Sequence, residues 1–456
     1  MPSVLLISTY DLGRQPFGLG SATAALRAAG AEVACADLSR DRLAPEQVER
    51  AALVGFFLPM HTATRLAVPV IARVRDLNPA ARLFAFGLYA PLNSVLLREL
   101  GVEEILGAEF EDDLERLATG AAAGQMDTSV VPRVRFRVPE RDGLPALSRY
   151  ATLRIGGDTR VVGYTEASRG CKHTCRHCPI VPVYDGRFRV VPIDVVLADV
   201  RAQIAAGARH LTFGDPDFFN GIRHAMAVVH AVHAEWPDLS FDVTIKIEHL
   251  LAHADRLPEL AATGCAFVTS AVESVDDGIL ERLAKGHTRA DFERTVRLCR
   301  EAGLSLSPTF VAFTPWTTPA GYCALLQTLD SLGLVEAVAP IQLAIRLLVT
   351  AGSRLLELPE IVRLAPRFDA ETMTYPWRHP DPAVDRLHAV VAGIAGGRGS
   401  DSRRETFDQI WRAAHTAAGL TPPPRAAAVA GPAPIAYMSE PWYCCAEPTP
   451  AQEALI

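Results

Sequence analysis

Three cysteines, Cys171, Cys175 and Cys178, stand within eight residues in the run Ser-Arg-Gly-Cys-Lys-His-Thr-Cys-Arg-His-Cys-Pro that begins at Ser168. Three thiolates at this spacing can hold a metal ion, or three irons of an iron–sulfur cluster whose fourth iron then lacks a protein ligand. An open position of that kind is where a substrate or cosubstrate binds. The alternative is a structural zinc site with His173 or His177 as fourth ligand, although zinc sites usually separate their ligand pairs by a longer loop. A second pair, Cys444 and Cys445, lies in Glu440-Pro-Trp-Tyr-Cys-Cys-Ala-Glu-Pro448. Adjacent Cα atoms are about 3.8 Å apart, short of the roughly 4.4–6.8 Å that a disulfide prefers. The pair should therefore rest as a dithiol, suited to a thiophilic ion or to redox exchange. An accidental pair in a disordered tail is the competing reading, and the flanking Trp442, Tyr443 and prolines argue instead for a docking segment.

These groups need a frame, and the hydrophobic pattern supplies one. Short apolar runs at Val4–Ile7, Glu32–Leu38, Leu53–Leu58, Arg82–Leu88 and, more weakly, Glu104–Leu106 alternate with helical patterns near 21–29, 64–77, 92–100 and 111–118. That alternation predicts a doubly wound α/β domain over 1–118, with ligands outside the carboxyl ends of its strands. Residues 119–160 read as a connector. From 161 to 355 the alternation resumes in longer units, with strands expected at 161–166, 210–213, 241–246, 266–272, 305–313 and 339–347. Six such units predict a partial (β/α)6 barrel of the TIM type, with functional loops at the strand carboxyl ends. The cysteine run follows the first of those strands. Residues 356–420 read as a helical extension, and 421–456 as a Pro/Ala-rich linker followed by the Cys-Cys-Ala-Glu-Pro tail. From Thr421 to Cys444 a flexible chain spans about 26 Å, enough to reach a barrel mouth.

The 456 residues exceed what one hydrophobic core organises. A net charge of −7 gives no electrostatic reason to expect nucleic acid. Lysine occurs only at 172, 246 and 285, as coding bias toward arginine would produce. No apolar run reaches the roughly 18–20 residues that span a bilayer, and the start lacks a basic segment of the signal-peptide kind. These features predict a cytoplasmic protein with reduced thiols. Gly18-Leu-Gly20 is a fragment of a dinucleotide fingerprint without its third glycine. His61 reads as a structural histidine and Lys285 as part of a surface loop.

The cysteine run resembles the CxxxCxxC signature of the radical S-adenosylmethionine (radical SAM) superfamily, with His177 as the aromatic residue usual before the third cysteine. With an α/β domain ahead of the barrel, the chain resembles class B members, whose N-terminal domain is of the cobalamin-binding type. Gly107-Ala-Glu-Phe-Glu111 resembles the acidic-glycine turn that closes that domain. The resemblance implies that Cys171, Cys175 and Cys178 ligate a 4Fe–4S cluster and that SAM chelates the fourth iron. It also implies SAM contacts from Gly214, Asp215 and Asp217 after the second barrel strand, and from Glu273 and Ser274 after the fourth. The Gly214–Phe218 run equally suits an ordinary Asp/Pro turn. Arg346, in an apolar strand, needs a partner, either a cofactor carboxylate or phosphate or a structural acid. Cobalamin is a candidate third cofactor, although the Asp-x-His-x-x-Gly motif that gives a histidine to cobalt is absent. The tail resembles that of the CUAEP/CCAEP radical SAM proteins, in which selenocysteine can replace the first cysteine, so Cys444 and Cys445 are expected to be catalytic.

These resemblances imply a low-potential electron donor of the flavodoxin or ferredoxin type and a small-molecule substrate, with neither nucleic acid nor membrane as partner. A thiophilic substrate such as trivalent arsenic would suit the dithiol. The alternatives are a cobalamin-dependent methyltransferase or rearrangement enzyme and, in another class, a zinc- or redox-sensing binding protein.

Overall fold

The computed structural model describes residues 2–120, 131–155, 157–396 and 402–425. Five β-branched and aromatic runs form the first sheet: β1 (Ser3–Ser8), β2 (Glu32–Asp37), β3 (Leu53–Phe57), β4 (Arg82–Phe86) and β5 (Glu104–Ile105). All pair in parallel in the order β2-β1-β3-β4-β5. The order reverses between β1 and β3, which is where sheets of this kind open a ligand crevice. Leu5, Ile7, Val54 and Phe56 are buried among helices on one face, while Leu6, Phe84 and Phe86 pack on the other. The helix at Pro45–Arg50 was not foreseen; a proline at its start and a six-residue length give it little periodic signal.

The second sheet contains β6 (Thr152–Ile155), β7 (Asp158–Thr165), β10 (His210–Phe213), β11 (Ser240–Thr244), β12 (Cys265–Glu273) and β13 (Ser305–Phe310), with the short strands β8 (Ser168–Gly170) and β9 (Phe188–Val190) forming a separate ribbon. Five strands, β7 and β10 to β13, run parallel, each followed by at least one helix, and the sheet curls as a half-barrel. Phe213, Phe241, Val243 and Phe310 fill its core.

Two expectations are corrected. The connector contains a strand, because Thr152–Ile155 folds back antiparallel on β7 through Gly157, at φ 83°. The expected strand at 339–347 is absent; Pro340–Leu343 form a 3₁₀ turn, and the sixth barrel position is reduced to one parallel bridge, Phe313 to Arg346. Pro340 cannot donate to a ladder, so an apolar run there does not make a strand. Beyond it, helices Pro382–Ala395 and Arg403–Ala417 pack on helix Pro319–Ser331. Cys444 and Cys445 lie outside the described residues.

Candidate functional site

The ribbon β8–β9 closes the neck of the cysteine loop immediately after β7. Gly170 sits in that neck at φ 76°, and a Cβ there would come within 2.4 Å of the Tyr184 ring and 2.6 Å of the Arg187 carbonyl. Asn220 clamps the loop from the other side. Its side-chain oxygen accepts from the Lys172 N–H at 3.2 Å, and its amide donates to the Gly170 carbonyl at 3.2 Å. Cys175 is buried, and Cys171 and Cys178 are partly so. Burial pushes the Cys171 thiol up to about 11 and that of Cys178 to about 12, with neighbouring thiolates adding to the cost. Three thiolates held this way require compensating positive charge, which a bound metal centre supplies.

The expected SAM residues separate into distinct roles. Glu273 ends β12 at φ 70°, a conformation unusual for a side-chain-bearing residue. Its carboxylate accepts from His177 Nε2 at 3.0 Å and lies 3.5 Å from Lys285 Nζ. Burial alone would raise its pKa, but the Lys285 and His177 charges outweigh that and hold it at about 2. Ser274 accepts from the Asp276 N–H and shapes the next turn. Gly214 allows close approach, because a Cβ there would overlap the Tyr164 hydroxyl. Asp215 accepts from Ser168 Oγ at 2.5 Å and from the Ala167 N–H at 2.9 Å, so it ties down the entrance of the cysteine loop. Burial, only partly offset by those bonds, lifts its pKa to about 7. Asp217 faces His173 and His249. Arg346 is engaged by Asp385 at 2.8 Å, the Trp377 carbonyl and the Trp377 ring face at 3.7 Å. Its partner is thus the structural acid of the two alternatives.

Sequence reasoning missed several residues. Lys285 is buried rather than on a surface loop, and its charge is felt by Cys175, Cys178 and Glu273. All three lysines of the chain act on this site, since Lys172 is in the loop and the charge of Lys246, two residues past β11, is felt by the Cys171 thiol. Forty-five basic residues of which three are lysine was the available signal. An ammonium is a compact point charge with three rotatable donors on a flexible stem. His287 is also buried, with neither ring nitrogen hydrogen-bonded among the described residues. Burial and the neighbouring lysines lower its pKa to about 4, so it is neutral near pH 7.

A cavity of about 220 Å³ lies where the carboxyl ends of the first sheet meet the cysteine loop. Asp11, Phe57, Phe110, Glu166, Arg169 and Tyr184 line it. Arg169, two residues before Cys171, binds Glu111 and Glu166 at 2.7 Å and approaches Glu109 at 3.6 Å. The acidic turn 107–111 thereby pins the first sheet to the cysteine loop. His61 is buried against the Thr372 carbonyl, away from this cavity's lining.

Residues 165–317, which include the cysteine loop and the turns after β10 and β12, match the radical SAM superfamily. They form a radical SAM domain. The curated relatives include the tRNA-2-methylthio-N(6)-dimethylallyladenosine synthase of Desulfosudis oleivorans, 28% identical over 195 residues, which are 39% of this chain and 38% of that protein. The ribosomal protein uS12 methylthiotransferase RimO of Geobacter sulfurreducens is 23% identical over 236 residues, covering 44% and 49%. The chain therefore spans less than half the length of these relatives. Among solved structures, the radical SAM methyltransferase TsrM from Kitasatospora setae, with tryptophan and a SAM analogue bound, is 22% identical with a TM-score of 0.56 over 73% of this chain and 71% of that one. The cobalamin-dependent radical SAM enzyme OxsB, with aqua-cobalamin bound, superimposes at a TM-score of 0.65 over 91% of this chain and 72% of that one, at 12% identity. These likenesses establish the fold of both halves together.

A radical SAM domain carries a 4Fe–4S cluster and SAM, and the loop fits the cluster better than it fits zinc. Tetrahedral thiolates 2.3 Å from zinc would sit about 3.8 Å apart. Among the described residues the three sulfurs do not gather within 4.8 Å of one another, and both candidate histidines are turned to carboxylates. The cavity between the halves is smaller than the roughly 300–1,000 Å³ of sites for drug-sized ligands. No helix among the described residues is long and apolar enough to cross a membrane.

Proposed function

We propose that this chain reductively cleaves SAM at a 4Fe–4S cluster on Cys171, Cys175 and Cys178, and turns the resulting radical on a substrate presented by Cys444 and Cys445. The observation that carries the first half is the buried, charge-demanding cysteine loop with Lys285, Glu273 and His177 beside it. When bound, the cluster supplies the low-potential electron that splits a carbon–sulfur bond of SAM, yielding a 5′-deoxyadenosyl or a 3-amino-3-carboxypropyl radical. The residues of the chain do the positioning. Lys246, paired with Glu248, and Lys285, paired with Glu273, keep positive charge beside the thiolates, and the Glu273–His177 pair holds the third-cysteine side of the loop. Neutral His287 offers a hydrogen-bonding group without adding charge. A low-potential protein donor would deliver the electron.

Two adjacent soft thiolates favour a thiophilic substrate, and trivalent arsenic is the concrete candidate. The carbon radical would bond to a dithiol-held As(III) hydroxide, one further electron from the low-potential donor would restore As(III), and the As–O bond would break with the oxygen leaving as water. Arg425, which ends the described residues, is anchored to Asp330 and Asp408. The 19 residues from there to Cys444 have a contour of about 65 Å. The test compares the full chain with its Cys444→Ser/Cys445→Ser variant, given SAM, dithionite and arsenite under anaerobic conditions. The variant should keep SAM cleavage and lose the organoarsenical product; unchanged product formation would remove the tail from the reaction.

The likeness of the whole chain to a cobalamin-bound structure favours a second reading, a cobalamin-dependent methyltransferase or rearrangement enzyme with the tail as reductant. Cobalt absorbance in protein purified after growth with cobalamin separates the two.

A further inference from the structure

The turn after β10 and the helix after β11 bring three groups together beside the cysteine loop that the reaction above does not use. They are His173 from between the first two cysteines, Asp217 and His249. One nitrogen or oxygen from each lies within 4.8 Å of the others. Asp217 and His249 are buried, and the His173 side chain is 17% exposed. His249 Nδ1 is 2.7 Å from Asp217 Oδ2, and His173 Nε2 is 3.4 Å from the same oxygen. These contacts are at ion-pair distance, yet none has the direction of a hydrogen bond; all three atoms are buried with no hydrogen-bond partner of good geometry among the described residues. Buried polar atoms left in this way cost free energy unless something satisfies them. Their convergence on a shared space, rather than along one another's bond axes, is the arrangement that a cation would satisfy.

The surroundings fit the same conclusion. Glu248 Oε2 is 3.4 Å from His173 Nδ1, and a carboxylate at the far nitrogen of an imidazole fixes the tautomer whose other nitrogen carries the lone pair. The other oxygen of Asp217 accepts from the Phe219 N–H at 3.2 Å, which orients the carboxylate with Oδ2 toward the histidines. Lys246 bonds to Glu248, which offsets its charge near the site.

We infer that His173, Asp217 and His249 form a second metal site, separate from the cysteine cluster, for a divalent first-row transition ion. Two imidazoles and a carboxylate select zinc or ferrous iron over magnesium or calcium. Three protein ligands leave at least one position for water or a small anion. The ion joins the cysteine loop, through His173, to the ends of β10 and β11, so that the loop is fixed on both its thiolate and imidazole sides.

The test uses the full chain carrying Cys444→Ser/Cys445→Ser, so that the tail offers no thiolate site, with its cluster reconstituted anaerobically and then equilibrated with Zn²⁺. One zinc per chain should bind in addition to the cluster irons. X-ray absorption at the zinc edge should show nitrogen and oxygen neighbours without sulfur. Asp217→Asn, which preserves the cap on Phe219, and His249→Ala should each abolish stoichiometric zinc while cluster absorbance is retained. Glu248→Gln should weaken zinc binding by about 10–100-fold. Sulfur neighbours around the zinc, or equal zinc content in the parent and both variants, would overturn the site. Loss of cluster iron from the variants with no zinc bound by the parent would also overturn it, leaving the trio as support for the loop. SAM cleavage is read separately from all three results.

Discussion

Gly170 shows how far a single residue controls the cysteine loop. Its φ of 76° and the 2.4 Å approach of Tyr184 leave no room for a methyl group at the neck from which Cys171 departs. Gly170→Ala should cost about 1–3 kcal/mol through backbone strain and overpacking. It should also lower the iron bound per chain after reconstitution, and iron and sulfide analysis beside a thermal melt measures both effects. Some residues of this kind were legible in sequence and others were not. The three cysteines were, because their spacing is local. Lys285 was not, because its countercharge Glu273 is 12 residues away on another element and only folding brings the two together. His173 and Asp217 were legible as candidates, but their meeting with His249, from the helix Ile247–Ala252, was not, because three separate elements supply them. Arg346 was read as needing a partner, and only the fold decided between the cofactor and Asp385.

At the level of elements, the first-sheet strands were readable because buried parallel strands are near-continuous apolar runs between amphipathic helices. The run at 339–347 has the same appearance but turns irregular after Pro340; its single bridge pairs Arg346 with Phe313, and the ion pair with Asp385 ties Arg346 to the helix Pro382–Ala395. Arg346→Ala should therefore destabilise the chain by about 1–2 kcal/mol, through the lost ion pair and cation–π contact, while leaving the SAM dissociation constant unchanged. Urea denaturation and equilibrium dialysis test the two halves of that statement. The turn 107–111 joins the sheets through Arg169 and brings a pH dependence with it. Burial, partly offset by Arg169, raises the Glu109 carboxyl from 4.5 to about 7. Between those values the folded chain holds a proton that the unfolded chain has released, so stability falls as pH rises through that window. Glu109→Gln should flatten the fall, removing at most about 3 kcal/mol of pH-dependent stability. Denaturation midpoints at pH 5 and pH 7.5 measure it; an undiminished slope in the variant would assign the effect to another group.

For the whole molecule, the parallel sheet of the N-terminal half meets the cysteine loop through the Arg169 cluster, and the half-barrel supplies Glu273, Lys246 and Lys285 from its strand ends and the turns that follow. The sequence pattern placed function at the strand carboxyl ends of each half, since both sheet types do so, without saying how the halves would meet. It could not show that the intervening cavity would be only about 220 Å³, because that volume depends on how Phe57, Phe110 and Tyr184 pack across the junction. The account rests on the cysteine loop generating a radical from SAM. The most direct measurement is anaerobic incubation of the reconstituted full chain with SAM and dithionite, followed by chromatography of the nucleoside products. 5′-Deoxyadenosine or methylthioadenosine should accumulate with the parent chain and be absent with Cys175→Ala. Intact SAM alongside a fully loaded 4Fe–4S cluster would contradict it.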